Sequence, residues 1–358
     1  MGENSIKLSV VIPCFNEEST LKECVDKVRR IADENLNVEI IIVDDGSSDG
    51  SASVAKEISV EYPEIVFLSH GTNRGKGAAL RTGFEKITGD YVAIQDADLE
   101  YDPVDFKNLL VPLIDNKADA VIGSRFLTVG PHRVLFFWHS IGNKLLTFLS
   151  NMFTDLNLTD IESGYKIFKR DVIKKIDIEE DRFGFEPEII AKVSHLKLRI
   201  YEMGVSYFGR TYEEGKKIGF KDGIRALYCI FKYNASRVPF PMRILLYTLL
   251  GISTVLFNGI FFSVFLSGGI IFNAAVVLAF VVSTSLNYPL LKIFLYRVGG
   301  KFITLLIILG VLDFGITKLL IDLSFQLNYS KILSIILVLL LGLLFKRLWP
   351  FHKRVKIA

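Results

Sequence analysis

The stretch YVAIQDADLEYDP, residues 91–103, joins an apolar run to four carboxylates, Asp96, Asp98, Glu100 and Asp102. The apolar half reads as a strand buried on both faces, because it lacks the polar alternation of a half-exposed one. Crowding like charges at its end gains nothing for folding, since repulsion and desolvation both oppose it. A cation or cationic partner must justify them. If the strand continued, Asp98 would point away from Asp96 and Glu100; a turn at Ala97 or Leu99 lets several oxygens converge. Hard divalent cations take such ligands, and magnesium commonly binds one or two carboxylates with substrate phosphates and water. Asp96, Asp98 and Glu100 are therefore read as a metal–diphosphate site. Asp102, followed by Pro103, reads as a helix cap.

The same pattern recurs along the chain. KLSVVIPCF (7–15), VEIIIVD (38–44), EIVFLSH (64–70) and ADAVIGSR (118–125) read as further strands. Helical periodicity separates them, as in Leu21, Val25, Val28 and Ile31. Near-continuous apolar strands alternating with helices predict a mostly parallel α/β sheet covered on both faces. In such sheets ligands bind outside the carboxyl ends of the strands. The polar clusters PCFNEE, VDDGSSDG, DADLE and GSR all fall there, which points to a nucleotide or nucleotide-sugar enzyme. Asp44 and Asp45 are placed to accept from a base N–H or ribose hydroxyls, although one of them could simply cap the next helix. NRGKG (73–77) offers backbone N–H groups and Lys76 to phosphate or base, or else is a solvated helix start; it lacks the Walker spacing. Arg125 ends its strand on the side of the acidic triplet.

The 358 residues are 50% hydrophobic with a net charge of +3 and a mean hydropathy of +0.38. The apolar excess is concentrated beyond Arg243, so two domains are expected. Segments 243–266, 270–291, 302–321 and 331–348 have the length and composition of transmembrane helices. Lys292, Arg297 and Lys301 flank the second connection, and Lys346, Arg347, Lys353, Arg354 and Lys356 the end of the last span, whereas Ser267–Gly269 is uncharged. The positive-inside rule then predicts a multi-pass protein with both termini and the large domain cytoplasmic. Asp313, inside the third segment, is read as making a helix–helix hydrogen bond rather than a functional contact, and Lys318 as snorkelling to the far interface.

Residues 221–239 place Ile224, Leu227, Tyr228 and Phe231 on one helical face beside Arg225, Lys232 and Arg237, as a helix lying on a membrane does. Residues 133–153 fit either such a helix or a core helix. Arg210, Lys216 and Lys217 gather just before the first of these, where cations suit an anionic lipid headgroup. Cys14, Cys24 and Cys229 have no metal-type spacing and suit a reducing compartment. No secretory signal is read at the N-terminus, and Ile6 occupies the place a myristoylation motif gives to Ser or Thr. No nucleic-acid partner is expected.

Taken together, VVIPCFNEE (10–18), IIIVDDGSSDG (40–50), NRGKGAALRTGF (73–84), QDADLEYDP (95–103), VIGSRF (121–126), DIESGYKIF (160–168) and GRTYEEGKK (209–217) resemble the family-two glycosyltransferases of GT-A fold. Within them, the closest resemblance is to polyprenyl-phosphate sugar synthases of the dolichyl-phosphate mannose and glucose synthase type. The resemblance implies a GT-A nucleotide-sugar-binding domain (1–220), an interfacial amphipathic helix (221–240) and a four-helix transmembrane domain (241–358). It implies donor contacts at Pro13, Asn16, Glu17 and Asp45, and Mg2+ or Mn2+ at Asp96, Asp98 and Glu100. Family members often carry Gln in place of Glu100. Arg125 would touch the acceptor phosphate or the leaving diphosphate, Ser163 and Gly164 would line the acceptor side, and Arg210 with Lys216 or Lys217 would close over the site. The implied reaction moves one hexose, from UDP-glucose or GDP-mannose, to dolichyl or undecaprenyl phosphate with inversion. A processive polysaccharide synthase or glycolipid glycosyltransferase is the rival; the Q-x-x-R-W motif usual in the former is absent around Trp138 and Trp349.

Overall fold

The computed structural model describes residues 5–127, 133, 136–210, 219–235, 237–290 and 301–348. The chain divides into two compact units, Met1–Asn234 and Ala235–Ala358. Strands β1 (Ile6–Cys14), β2 (Leu36–Asp44), β3 (Ile65–Ser69), β4 (Tyr91–Ile94), β5 (Ala120–Ser124), β6 (Lys166–Lys169) and β7 (Ile200–Gly204) form one sheet in the first unit. Their spatial order is β3-β2-β1-β4-β6-β5-β7. Helices α1 (Leu21–Arg29), α2 (Ser51–Glu61), α3 (Lys76–Phe84), α4 (Asp105–Ile114), α5 (Phe137–Thr154), α6 (Arg170–Ile173), α7 (Phe185–His195) and α8 (Phe220–Asn234) complete it.

The central strands are apolar because both faces are covered: Leu8, Val10, Val11 and Ile12 of β1 and Ile40–Val43 of β2 have no exposed surface. They pair in parallel, Val10 beside Ile40 and Val11 beside Ile94 of β4. Helix α1 buries Leu21, Cys24, Val25 and Val28, the i, i+3, i+4, i+7 stripe that its sequence offers. The sheet is mostly parallel, as expected, but β6 runs antiparallel to both neighbours, with Ile167 opposite Ala93 and Val121. That reversal places the residues before β6, rather than after it, at the edge where β1, β2, β4 and β5 end.

Beneath that edge an aromatic column ties α4 to the strands. Phe106 stacks on Tyr165 at 4.5 Å, Tyr165 on Tyr101 at 4.5 Å, and Tyr101 meets Tyr207 at 5.2 Å. Cys14, Cys24 and Cys229 are free and buried. Helix α5 is not an ordinary core helix: it buries Thr147, Ser150 and Phe153 but leaves Phe137, Trp138, Ile141, Leu145 and Phe148 exposed, Trp138 at 78%.

The second unit consists of α9 (Phe240–Ser267), α10 (Phe272–Leu290), α11 (Lys301–Asp322) and α12 (Leu327–Leu348). Among the described residues two helices, Phe240–Ser267 and Phe272–Pro289, are long and apolar enough to cross a membrane. Asp313 makes the helix–helix contact expected of it. Its carboxylate pairs with Lys331 of α12, and Ser334 Oγ lies 2.9 Å from Oδ1. All three side chains are buried.

Removing the base of the aromatic column leaves a cavity that the stacked rings cannot fill. Phe106→Ala is expected to destabilise the first unit by about 3–5 kcal/mol, measurable as a lowered thermal unfolding midpoint of the purified chain.

Candidate active site

The loops after β1, β2, β4, β5 and β7, the loop before β6 and the starts of α3 and α7 meet at the edge of the sheet. The loop after β1 turns at Asn16, which adopts a left-handed conformation (φ 54°) and accepts at Oδ1 from Ser48 N at 2.8 Å. Its own N–H donates to Ser47 Oγ at 3.0 Å. Pro13 costs no sheet hydrogen bond toward β4, because that pairing ends at Val11 and Ile94. The loops after β1 and β2 are thus held as one piece.

Asp45, buried after β2, accepts from Arg74 N at 3.0 Å and from Gly75 N at 2.6 Å. Its Oδ1 also lies 2.7 Å from His70 Nδ1. It therefore shapes the glycine-rich turn before α3. Asp44 accepts from Ser69 Oγ at 3.2 Å and Ser47 N at 3.4 Å. Gly75 adopts φ 107°, a conformation only glycine takes readily, and the turn aims the first residue of α3 at the acidic cluster. There Lys76 Nζ sits 2.8 Å from Asp96 Oδ1 and 2.9 Å from Glu186 Oε1. Burial opposes its charge, but the two carboxylates outweigh that and hold the ammonium above the usual lysine range.

Strand β4 stops at Ile94, and Leu99 takes φ 61°, supplying the turn that the carboxylates need. Asp98 Oδ1 accepts from Glu100 N at 3.1 Å, and Oδ2 lies 3.3 Å from Arg210. Burial, then the nearby charges of Asp96 and Glu100, push the Asp98 carboxyl up to about 7. Glu100 faces another way: Oε2 accepts from Tyr207 Oη at 2.8 Å and Oε1 from Arg210 N at 2.7 Å. Arg210 also meets Glu17 at 3.2 and 3.3 Å. Asp102 Oδ1 accepts from Val104 N at 3.1 Å in the turn that leads into α4; the N-cap position itself is Val104.

The three carboxylates expected to share a metal have different partners in this geometry. Among the described residues no three His, Cys, Asp or Glu side chains group as a metal site. Glu100 is committed to holding Tyr207 and Arg210. Asp96 and Asp98 remain a crowded pair of hard oxygen donors, and two carboxylates suffice for a hard cation that shares substrate phosphates.

Arg125, after β5, forks onto Asp160 with Nε at 2.7 Å from Oδ2 and a second guanidinium nitrogen at 2.8 Å from Oδ1. Its backbone N–H adds a third bond at 3.1 Å. The guanidinium carbon stands 5.3 Å from the Tyr207 ring centroid. Ser163 is fully buried, with Oγ 3.3 Å from Tyr165 N, which makes it a support of the site's wall. A Cβ on Gly164 would collide with Asp96 Oδ2, so only glycine lets this loop approach the carboxylate. Lys216 and Lys217 lie outside the described residues.

Asp160 and Glu186 were not singled out from the sequence. The rule used there looks for polar clusters after strands, and Asp160 precedes the reversed strand β6. Glu186 opens α7, where an acidic residue in the first turn looks like ordinary dipole complement.

The family model for glycosyl transferase family 2 matches residues 9–177. The chain belongs to that family. The hexosyltransferase Agl6 of low-salt glycan biosynthesis in Haloferax volcanii is 32% identical over 219 residues, covering 61% of this chain and 51% of that protein. A dolichol-phosphate mannosyltransferase of Pyrococcus furiosus is 27% identical over 287 residues, 79% of each chain. A dolichyl-phosphate β-glucosyltransferase, ALG5A, of Trichomonas vaginalis is 33% identical over 216 residues, covering 57% of this chain and 66% of that one. The chain thus spans about half the length of Agl6 and a larger share of the other two. Crystalline glucosyl-3-phosphoglycerate synthase of Mycobacterium tuberculosis, solved with Mn2+, UDP and glucosyl-3-phosphoglycerate, superposes with a TM-score of 0.50 at 19% identity, covering 65% of this chain and 81% of that one. At that identity the likeness speaks for the GT-A-like fold alone. Two of these relatives are thus named for sugar transfer to dolichol or dolichyl phosphate.

Asp160→Ala strands the buried Arg125 guanidinium without its fork. It should destabilise the first unit by about 3–5 kcal/mol, whereas Arg125→Met with Asp160→Leu together should cost far less. Thermal unfolding of the three chains separates the two outcomes.

Proposed function

We propose that the protein transfers a single hexose from UDP-glucose or GDP-mannose to a polyprenyl phosphate, dolichyl or undecaprenyl, with inversion at the anomeric carbon. The observation that carries this reading is the pairing, at one sheet edge, of crowded Asp96 and Asp98 with the cations Lys76 and Arg210, with Arg125 held on Asp160 by its own fork. Carboxylates of that kind call for a metal–diphosphate, and guanidinium groups call for a second anion beside it. The relatives named for mannosyl and glucosyl transfer to dolichyl phosphate support the acceptor class.

A lipid phosphate is already an anion near neutral pH, so no side chain has to remove a proton to make the nucleophile. The work left to the protein is alignment and charge stabilisation. Asp96 and Asp98 would hold Mg2+ or Mn2+, which when bound neutralises charge building on the leaving nucleoside diphosphate. Arg210, carried by Glu17, Asp98 and Glu100, binds departing or attacking phosphate oxygens at the mouth of the site. Arg125 is oriented by Asp160 toward the same anions, with Gly164 keeping the wall between them thin. Pro13, Asn16, Glu17, Asp44 and Asp45 form the rigid donor side, Asp45 by shaping the turn that presents Lys76. Lys216 and Lys217 are assigned to the acceptor phosphate on the basis of the sequence.

In this reading α9–α12 are four membrane spans, α8 lies in the interface, and both termini and the catalytic unit are cytoplasmic. The exposed apolar stripe Ile224 and Tyr228 on α8 supports the interfacial part.

Asp98→Ala should lower transfer by at least about 10²-fold while leaving thermal unfolding intact, and chelation should abolish a wild-type activity that Mn2+ or Mg2+ restores. Both are read with radiolabelled UDP-glucose and GDP-mannose against undecaprenyl and dolichyl phosphate. No lipid-linked sugar from any pair would remove the proposal. For topology, a cysteine at Gly268 should react with an impermeant maleimide only from outside sealed cells, and one at Lys353 only after lysis; reversed labelling would overturn the orientation.

A further inference from the structure

The segment Ile178–Asp181 runs between two helices that the proposed chemistry treats separately. On one side lies α8. The Glu180 side chain is 2% exposed and takes all its side-chain donors from that helix: Arg225 at 2.9 and 2.5 Å, Lys232 at 3.2 Å and Tyr233 Oη at 2.8 Å. Burial disfavours its charge, but these donors outweigh that and hold the carboxyl below its usual range. On the other side lies the start of α3. Asp181 O accepts from Ala78 N at 3.0 Å, and Arg81 bonds Ile178 O at 2.8 Å and the Asp181 carboxylate at 2.6 Å. The contact is backbone on backbone: a Cβ on Gly77 would overlap Glu180 O, and one on Gly75 would overlap Asp181 O.

Between those two glycines stands Lys76, whose ammonium bridges Asp96 and Glu186. A displacement of α8 that drags Glu180 therefore reaches Lys76 through close-packed backbone with no soft side chain between.

We propose that Glu180 is a positioning residue that couples the seating of α8 to the placement of Lys76 against Asp96. The coupling rests on the proposed glycosyl transfer for its kinetic consequence, though not for its mechanical one. Losing the carboxylate charge leaves the 178–181 segment ion-paired to α8, among the described residues, only through Lys232 and Glu179 at 3.4 Å, loosens the first turn of α3 and weakens the hold on the donor. Chemistry at the anomeric carbon, which depends on other side chains, is kept.

The test uses the full chain in nanodiscs, comparing wild type, Glu180→Gln, Lys76→Ala and the double variant. Hydrogen exchange needs no turnover: in Glu180→Gln the amides of residues 74–79 should exchange roughly tenfold faster, with β1 and β2 unchanged. With whichever of UDP-glucose and GDP-mannose is consumed, and undecaprenyl phosphate as acceptor probe, donor KM should rise roughly fivefold to thirtyfold with kcat held. That rise should vanish on the Lys76→Ala background. Faster exchange confined to α8, or spread over the whole unit, overturns the coupling, as do additive effects on KM. A wild type that consumes no donor sinks the transferase reading, while the exchange data still decide the coupling.

Discussion

The structure of the site follows from one electrostatic constraint: carboxylates crowded at the end of β4 have to be shared out among cations. Lys76 takes Asp96, and Arg210 takes Asp98, Glu100 and Glu17. To reach these positions, Lys76 must open α3 behind a left-handed glycine, and Arg210 must be brought back from beyond β7. The loops that look like independent polar clusters are the means of delivering two cations to one acidic edge. Asp45 illustrates the point, since its oxygens are spent on Arg74, Gly75 and His70, all of them in or beside the turn that carries Lys76.

The second constraint is topological. A single strand, β6, inserted against the direction of its neighbours, brings its leading residues to the ligand edge. Those residues supply Asp160, which fixes Arg125, and Gly164, which lets the loop touch Asp96. The aromatic column from Phe106 to Tyr207 stiffens this insertion from below. Tyr101 Oη accepts from Gly164 N at 3.0 Å, and Tyr165 Oη donates to Gln95 at 2.5 Å.

Much of this was legible in the chain. Apolar runs marked the strands, the helical stripe of α1 appeared as read, and the turn needed at Ala97 or Leu99 is found at Leu99. Asp102 bonds within the turn that leads into α4, and Asp313 bonds another helix. What spacing does not carry is partnership across distant segments. That Lys76 would meet Glu186, Arg125 would meet Asp160, and Glu100 would turn toward Tyr207 depends on which loops the sheet order brings together. A three-residue acidic motif does not show that Glu100 also bonds Tyr207 and Arg210, more than a hundred positions away. The antiparallel strand hid a further part, because a rule written for carboxyl ends passes over residues that lead into a strand.

The charge balance sharpens what the site can accept. Glu17, Asp96, Asp98, Glu100 and Glu186 are set against Lys76 and Arg210, while Arg125 and Asp160 cancel. Such a site opposes a bare diphosphate; burial first, and then the neighbouring Asp96 and Glu100 charges, raise the Asp98 carboxyl. A divalent ion arriving with the donor would relieve that opposition. Because Asp96 is already paired with Lys76, an ion bound as proposed would be held by Asp98 together with an Asp96 that Lys76 also engages. In that reading Lys76, at a helix start, would bear on how tightly the donor is held rather than on the step at the anomeric carbon.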